Sequence, residues 1–402
     1  MRIHKAYKTE LNPNKTQIVL LNKSVGCARF AYNWGLARRI EEYERTGKYL
    51  TAIDQQKQLN QIKQFDFPWM YEVSKCSPQG ALQDLDRAYG NFFRRIKKGE
   101  KPGFPKFKSK HDANQSFKLT GAIHIESNRM SLPRTGWVKL KEKDYIPVGF
   151  KPLSATVSKK ADRWFVSVLF EEEINPVQNK DGNVVGVDLG IKNLAVTSDN
   201  VVFMNPKALN KNLDKLARLQ RKQFRQVKGS NNRKKTIKKI QRLHYRISNI
   251  RRDAIHKMTT AVAKTKPQLV VIEDLAVRNM LGNHRIARSI SDASFGEIRR
   301  QFEYKALWNG FEVQVADRWF PSSKMCSCCG CIKVDLKLGD RTFICPECGL
   351  VIDRDLNASL NLKKYPTLSS RGSNACGDGG RKPRRDARKG KKQELKTMGT
   401  CV

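Results

Sequence analysis

The spacing of apolar and polar positions changes several times along the chain, and each change marks a unit. From Pro13 to about Gly99 the period is helical: Gln17 to Leu36 is amphipathic, and Leu82, Leu85, Tyr89, Phe92 and Ile96 recur every three to four residues. Ser77-Pro78 ahead of that second run reads as a helix start, serine capping and proline at the first helical position. GEKPGFPKFKSK, 99–110, then breaks the period, because its prolines and glycines exclude regular structure. Its lysines can meet phosphates while Phe104 and Phe107 either stack on bases or simply pack on the helices.

From Ser116 to Glu173 the period shortens to that of strands: SFKLTG, AIHIES, WVKLK, SATVSKK and RWFVSVLFEEE, separated by turns, predict a small β-barrel or sandwich. Ile3 to Thr9 is strand-like but isolated, so it is expected to pair with this sheet, which makes the helical region an insertion. At Asn183 a further unit starts. NVVGVDLG and NLAVTSDN are two apolar strands joined by a tight turn at Gly190. PQLVVIEDL is a continuous apolar run typical of a buried parallel strand, a helix follows over about Phe295 to Trp308, and FEVQVADRW gives another strand. Strands alternating with helices predict an α/β sheet.

Composition adds a partner to this outline. The 402 residues hold 78 Lys and Arg against 38 Asp and Glu, a formal charge of +40, far more than solubility asks and matched to a polyanion such as nucleic acid. Between Lys215 and Arg252 lie fifteen Lys or Arg and no acid, while Ile237, Ile240, Leu243, Ile247 and Ile250 keep a helical apolar stripe. One face of that helical stretch packs, and the other, with no acid to pair its cations, is expected to face phosphate rather than be simply a solvated charged face; Arg221, Lys222, Arg225, Lys234, Lys235, Lys238 and Arg242 are its candidate contacts. The tail from about Thr367 has almost nothing apolar to bury and is expected to be disordered. No run of eighteen apolar residues and no signal-type start is present, which predicts a cytoplasmic protein without a membrane span.

Six of the ten cysteines fall between Cys326 and Cys348. Cys326-Ser-Cys-Cys329-Gly and Cys345-Pro-Glu-Cys348-Gly have the spacing of a four-thiolate zinc ribbon, and the glycine after each second cysteine lets the chain turn sharply and its amides approach sulfur. Cys328 and Cys331 form a competing pair, but Ile332 follows where the turn wants glycine, so they are expected to be bystanders. Two acids sit on apolar strands: Asp188 within VVGVDLG and Glu273 at the carboxyl end of VVIEDL. Either alone reads as a cap, and Asp274 competes with Glu273 for that role. Two on separate core strands, with a third in DRDLNASLN, suit two Mg²⁺ ions roughly 3.5–4 Å apart acting on a phosphodiester. Local chemistry leaves the third acid open, since Asp353 suits the N-cap of the helix that follows while Asp355 falls in its first turn.

Together, GVDLGIKNLAV, VVIEDL, RRQFEYKALWNG, WFPSSKMCSCCG, CPECG and DRDLNASLN, with KAYKTELNPNKTQ and CARFAYNWGL near the start, resemble the TnpB family over roughly residues 1 to 365. The resemblance implies an insertion-sequence-encoded, RNA-guided DNA endonuclease related to type V CRISPR effectors. Its expected architecture is a multi-domain α/β and α+β chain: a wedge β-barrel (1–10 and 111–180), a helical recognition insert (11–110), a RuvC-like RNase H-fold nuclease (181–322 and 350–366), a zinc ribbon (323–349) and the basic tail (367–402). It implies a guide RNA from the transposon end, a double-stranded DNA target with a short adjacent motif, and Mg²⁺-dependent cleavage by Asp188, Glu273 and Asp355. Lys75, Gln79 and Thr120 are candidates for reading that motif, since Lys and Gln address base edges in a major groove; ordinary surface residues near a helix start are the alternative. Ser359 stands where the family usually has a second alanine. Two other functions fit the same residues: a strand transferase acting on transposon ends, and a noncatalytic nucleic-acid-binding regulator.

Overall fold

The computed structural model describes residues 1–112, 115–175, 178–337 and 339–370, so the expectation for the tail lies almost wholly outside the described residues. Strand β1 (Arg2–Asn12) is followed by helices α1 (Lys15–Thr46), α2 (Ala52–Ile62) and α3 (Cys76–Lys97). Asn14 and Gln17 close α1 with a reciprocal capping box, and α1 buries Leu21, Val25, Ala28, Tyr32 and Leu36, spaced by three or four residues, against Leu82 and Leu85 of α3. The expected cap at Ser77 is a correction. Helix α3 begins at Cys76, Ser77 lies inside it fully buried with its Oγ unpartnered, and Pro78 sits in the first turn, where no intrahelical amide is needed. Ile96 runs off the core and is exposed. In the following loop both Phe104 and Phe107 are exposed, Phe104 with its ring edge-on against Tyr89 and Phe92.

The β region comprises β2 (Gln115–Leu119), β3 (His124–Ile125), β4 (Arg129–Leu132), β5 (Gly136–Leu140), β6 (Ser154–Lys160) and β7 (Arg163–Glu173). With β1 they form one antiparallel sheet in the order β2-β6-β7-β1-β5-β4-β3. The expected pairing of the N-terminal strand is met: β1 lies against β7 from Arg2↔Glu173 to Leu11↔Trp164 and touches β5 at Leu11↔Leu140. Of the expected barrel or sandwich, the hydrogen bonding of the described residues shows one antiparallel sheet whose order ends at β2 and β3 without pairing them. Strand β3 is two residues long, too short to close a barrel.

The second sheet contains β8 (Val184–Leu189), β9 (Asn193–Thr197), β10 (Val202–Met204), β11 (Leu269–Ile272) and β12 (Glu312–Val315), in the order β10-β9-β8-β11-β12. Its first three strands run antiparallel, whereas β11 is parallel to both β8 and β12. Helices α4 (Leu213–Arg225) and α5 (Asn231–Lys264) carry the basic stretch, and α6 (Val277–Gly282), α7 (Ala287–Ala293) and α8 (Phe295–Asn309) follow β11. A two-stranded ribbon of β13 (Thr342–Ile344) and β14 (Val351–Asp353) leads into α9 (Arg354–Ser370).

Alternation along β8 and β11 decides which helix covers which face. Val185, Val187, Val270 and Ile272 face one side and join Ile255, Met258, Ile298 and Phe302 of α5 and α8 in one core. Val184, Gly186, Leu269 and Val271 therefore face the other side, where Leu362 and Tyr365 of α9 pack. The helix comes so close that a Cβ on Gly186 would fall on the Ser359 carbonyl oxygen and lie 2.5 Å from the Lys363 amide nitrogen. Only glycine allows backbone to meet backbone here. Gly186→Ala is expected to force α9 off the sheet, costing roughly 1–3 kcal/mol or more. Urea unfolding read by circular dichroism measures the loss.

Candidate metal centres and nucleic-acid faces

The same alternation places the acids. Asp188 follows Gly186 by two residues, and Glu273 follows Val271 by two, so both lie on the face that α9 covers. The parallel register Val187↔Ile272 sets them side by side at the carboxyl ends of β8 and β11. Asp355 lies in the first turn of α9, above this point. Asp353, one residue before the helix, accepts from the amides of Asp355 at 2.9 Å and Leu356 at 3.1 Å, which makes it the N-cap. The two aspartates of DRDLNASLN thus separate: one caps the start of the helix and the other is left for the acid cluster.

Glu273 and Asp274 also separate. Glu273 Oε1 accepts from Ser322 Oγ at 2.5 Å, whereas Asp274 turns to Arg318 at 2.5 Å and Arg299 at 4.0 Å. Burial raises the Asp188 carboxyl well above its ordinary range, with Glu273 and then Asp355 adding to it and Arg354 opposing. Burial likewise raises Glu273, against the Ser322 hydrogen bond, which lowers it. Arg354 stands 3.3 Å from Asp355, a cation beside Asp188, Glu273, Asp355 and Asp353. Such a set lacks positive charge, and hard oxygen donors of this kind fit a divalent ion such as Mg²⁺.

The zinc expectation is met in its donors. Cys326, Cys329, Cys345 and Cys348 bring their sulfurs within 4.8 Å of one another, the one group so compact among the described residues. The Cys326–Cys348 and Cys329–Cys345 sulfurs lie 3.6 and 3.5 Å apart. A tetrahedral site with Zn–S of about 2.3 Å has edges of about 3.8 Å, close to these two separations and within the 4.8 Å that bounds the group, so small shifts of the thiols suffice to hold zinc. Gly330 and Gly349 adopt φ of +80° and +68°, and the amides of Cys328 and Cys348 approach the Cys326 and Cys345 sulfurs at 3.4 and 3.5 Å. The amides, that of Cys348 foremost, push the Cys345 thiol down to about 6. Cys328 and Cys331 stay outside the cluster.

Sequence reasoning missed what joins the two centres. Buried Asn357 and Asn361 of α9 both donate to the Met325 carbonyl, at 2.7 and 2.6 Å. Asn361 also donates to Ser322 O at 2.8 Å, and Asn357 Oδ1 accepts from Ser327 N at 2.9 Å. The segment entering the zinc ribbon is thereby clamped to the helix that carries Asp355, and its Ser322 holds Glu273. Asparagines four apart in an otherwise apolar helix face were the signal available. Ser322→Ala is expected to lower kcat about tenfold with KM little changed, and Ser322→Thr to restore it, in steady-state cleavage assays.

Lys75 and Gln79 line one cleft of about 730 Å³ with Lys63, Tyr71 and Arg134. Thr120 is exposed nearby, its hydroxyl 3.4 Å from the Cys76 sulfur. Arg221, Lys222, Arg225, Lys234, Lys235 and Lys238 are all exposed on α4 and α5, while Leu216, Leu243 and Ile247 pack between the two helices. Arg242 differs. Its guanidinium grips Asp162 with two nitrogens, Nε at 3.0 Å, so it joins α5 to the β6–β7 turn rather than standing free for phosphate. Among the described residues no helix is long and apolar enough to cross a membrane.

A Streptomyces pristinaespiralis protein named "Putative RNA-guided DNA endonuclease" is 36% identical over 394 residues, spanning 97% of this chain and 95% of the relative. The chain belongs to the TnpB family. An Escherichia coli K12 member with the same description, InsQ, is 34% identical over 90% of this chain and 92% of its own. The IS605 OrfB profile, described as "Probable transposase", matches residues 165–284, and a "Cas12f1-like, TNB domain" profile matches 295–362. A "Helix-turn-helix domain" profile matches 1–48, although here that segment is β1 followed by the single helix α1. The fold is that of the Cas12f1 chain in a Cas12f1-sgRNA-target DNA complex, with a TM-score of 0.57 at 14% identity over 90% of this chain and 99% of the other. The fold is accordingly a mixed α/β multidomain one, with a RuvC-like domain and a zinc-finger TNB domain that holds the cysteine cluster.

Proposed function

We propose that this TnpB protein is an RNA-guided DNA endonuclease that cuts with one acid cluster: Asp188, Glu273 and Asp355. The observation that carries the proposal is that Asp188 and Glu273 lie side by side on one sheet face and Asp355 in the first turn of the helix covering it, near enough to raise the Asp188 carboxyl, in a chain of charge +40. Names borne by its relatives and the complex formed by Cas12f1 point the same way. In this reading residues 1–10 and 111–180 act as a wedge domain and 11–110 as a recognition insert. The nuclease occupies 181–322 and 350–366, and the ribbon 323–349.

Guide pairing reads the target sequence, and the protein supplies a cationic channel and reads a short duplex motif. Exposed cations of α4 and α5 hold phosphates of the guide RNA from the transposon end, while Lys75 and Gln79 in their cleft, with Thr120, meet base edges of the motif. Asp188, Glu273 and Asp355 would hold Mg²⁺, two ions in the full site, which when bound supplies charge for the attacking water and the leaving oxygen. Ser322 orients Glu273, Asp353 fixes the first turn of α9, and Gly186 lets that helix approach. Cys326, Cys329, Cys345 and Cys348 hold zinc structurally, since four thiolates leave no open position.

The profile described as "Probable transposase" favours a second reading, strand transfer at transposon ends by the same acids. Sequencing the RNA that copurifies with the protein separates the two. One structured species ending in variable sequence is expected; end binding that survives RNase, with no such RNA, would favour strand transfer.

A further inference from the structure

Trp319 is 84% exposed, the highest value among the exposed large hydrophobic side chains of the described residues. Its loop is built rather than loose. Asp317 N donates to Tyr365 Oη at 3.0 Å, Trp319 N to Asp317 Oδ1 at 2.8 Å, and Ser322 N to Phe320 O at 2.8 Å. Phe320 packs edge-on against Tyr365 with ring centres 4.9 Å apart. On either side of the tryptophan the loop is tied to consecutive residues at the carboxyl end of β11: Arg318 to Asp274, and Ser322 to Glu273, each at 2.5 Å. An indole held in water by a fixed loop, at the rim of the acid cluster, has the form of a stacking platform.

We propose that Trp319 stacks on a base of the single DNA strand lying at the acid cluster and so sets which phosphodiester reaches it. The inference rests on the endonuclease reading of that cluster. Charge at the acid cluster acts on every phosphate alike, so choosing which phosphodiester sits there needs a hold that does not depend on charge. A base presents its π-face only when unpaired and unstacked, which makes the ligand a single strand. Every base has such a face, so the contact is indifferent to sequence. Arg318 is occupied by Asp274, and the ring carries the contact.

Binding in a non-cutting background tests this separately from catalysis. The RNA-loaded Asp188→Asn protein, with its target bound, is titrated with a fluorescent single-stranded oligonucleotide unrelated to the guide. Adding Trp319→Ala is expected to weaken binding roughly 5- to 150-fold, and Trp319→Phe to recover most of it, with the melting temperature unchanged in both. In the cutting protein Trp319→Ala should raise KM more than it lowers kcat and scatter the cut positions. Equal binding by the alanine variant would overturn the proposal, as would a phenylalanine variant as weak as alanine. If Asp188→Asn still cuts, the acid assignment fails while the binding comparison still decides for Trp319.

Discussion

Asp188→Asn is expected to reduce cutting on the order of 10³-fold or more while making the metal-free protein more stable at neutral pH. On the proposed function, the loss follows from removing one of the three carboxylates assigned to the site, carried by β8, the end of β11 and the first turn of α9. The stability gain follows from charge. Burial, then Glu273 and Asp355, hold the Asp188 carboxyl well above its ordinary range, so the folded protein binds that proton more tightly than the unfolded chain does. The stabilisation this brings is fully present below the unfolded carboxylate range and is lost as pH rises through the raised folded value. At neutral pH the site therefore pays for its clustered charge, and asparagine relieves it. Thermal melts without divalent ions should show the variant above the wild type, and Mg²⁺ should raise the wild type more than the variant. A variant that melts lower, or that still cuts, contradicts the assignment.

Removing zinc is expected to unfold the ribbon and to silence the acid site with it. Beyond the thiols, the ribbon's buried core is little more than Phe343 with Leu336, Leu350 and Ile352 partly covered, too small to stand alone. Zinc held by four thiolates supplies about 10–16 kcal/mol to such modules at neutral pH. Its loss frees the segment from Ser322 to Ser327, which Asn357 and Asn361 clamp to α9 and whose first residue orients Glu273. Cys345→Ser, or a strong chelator, should thus abolish cutting and also release hydrogen-exchange protection in the first turns of α9. Protection lost in the ribbon but kept in α9 would show that the two centres are independent.

Much of this was legible in the sequence because it depends on short spacings. The glycines after Cys329 and Cys348 fixed the choice among six clustered cysteines, since among the described residues only Gly330 and Gly349 follow a cysteine with the left-handed φ the turn needs. The apolar runs gave β8, β9, β11 and β12, and the lone N-terminal strand found its sheet. A strand buried on both faces hides its alternation, however, so that Asp188 and Glu273 share a face was readable only once α9 was seen against Gly186. The clamp by Asn357 and Asn361, the diversion of Arg242 to Asp162 and the open ends of the first sheet all join residues distant in sequence. Ser77 failed as a cap for a related reason: a buried serine beside proline looks the same in sequence whether the helix starts after it or just before it.

The most direct test of the central claim is programmed cutting. Purified protein carrying its own RNA, with Mg²⁺, is offered two DNA duplexes with the same adjacent motif, one matching the RNA's variable end and one not, and the RNA end is then exchanged. Cutting should follow the RNA from the first duplex to the second and vanish in Asp188→Asn. Cutting that ignores the exchange, or that persists without the Asp188 carboxylate, would contradict an RNA-guided nuclease built on these three acids.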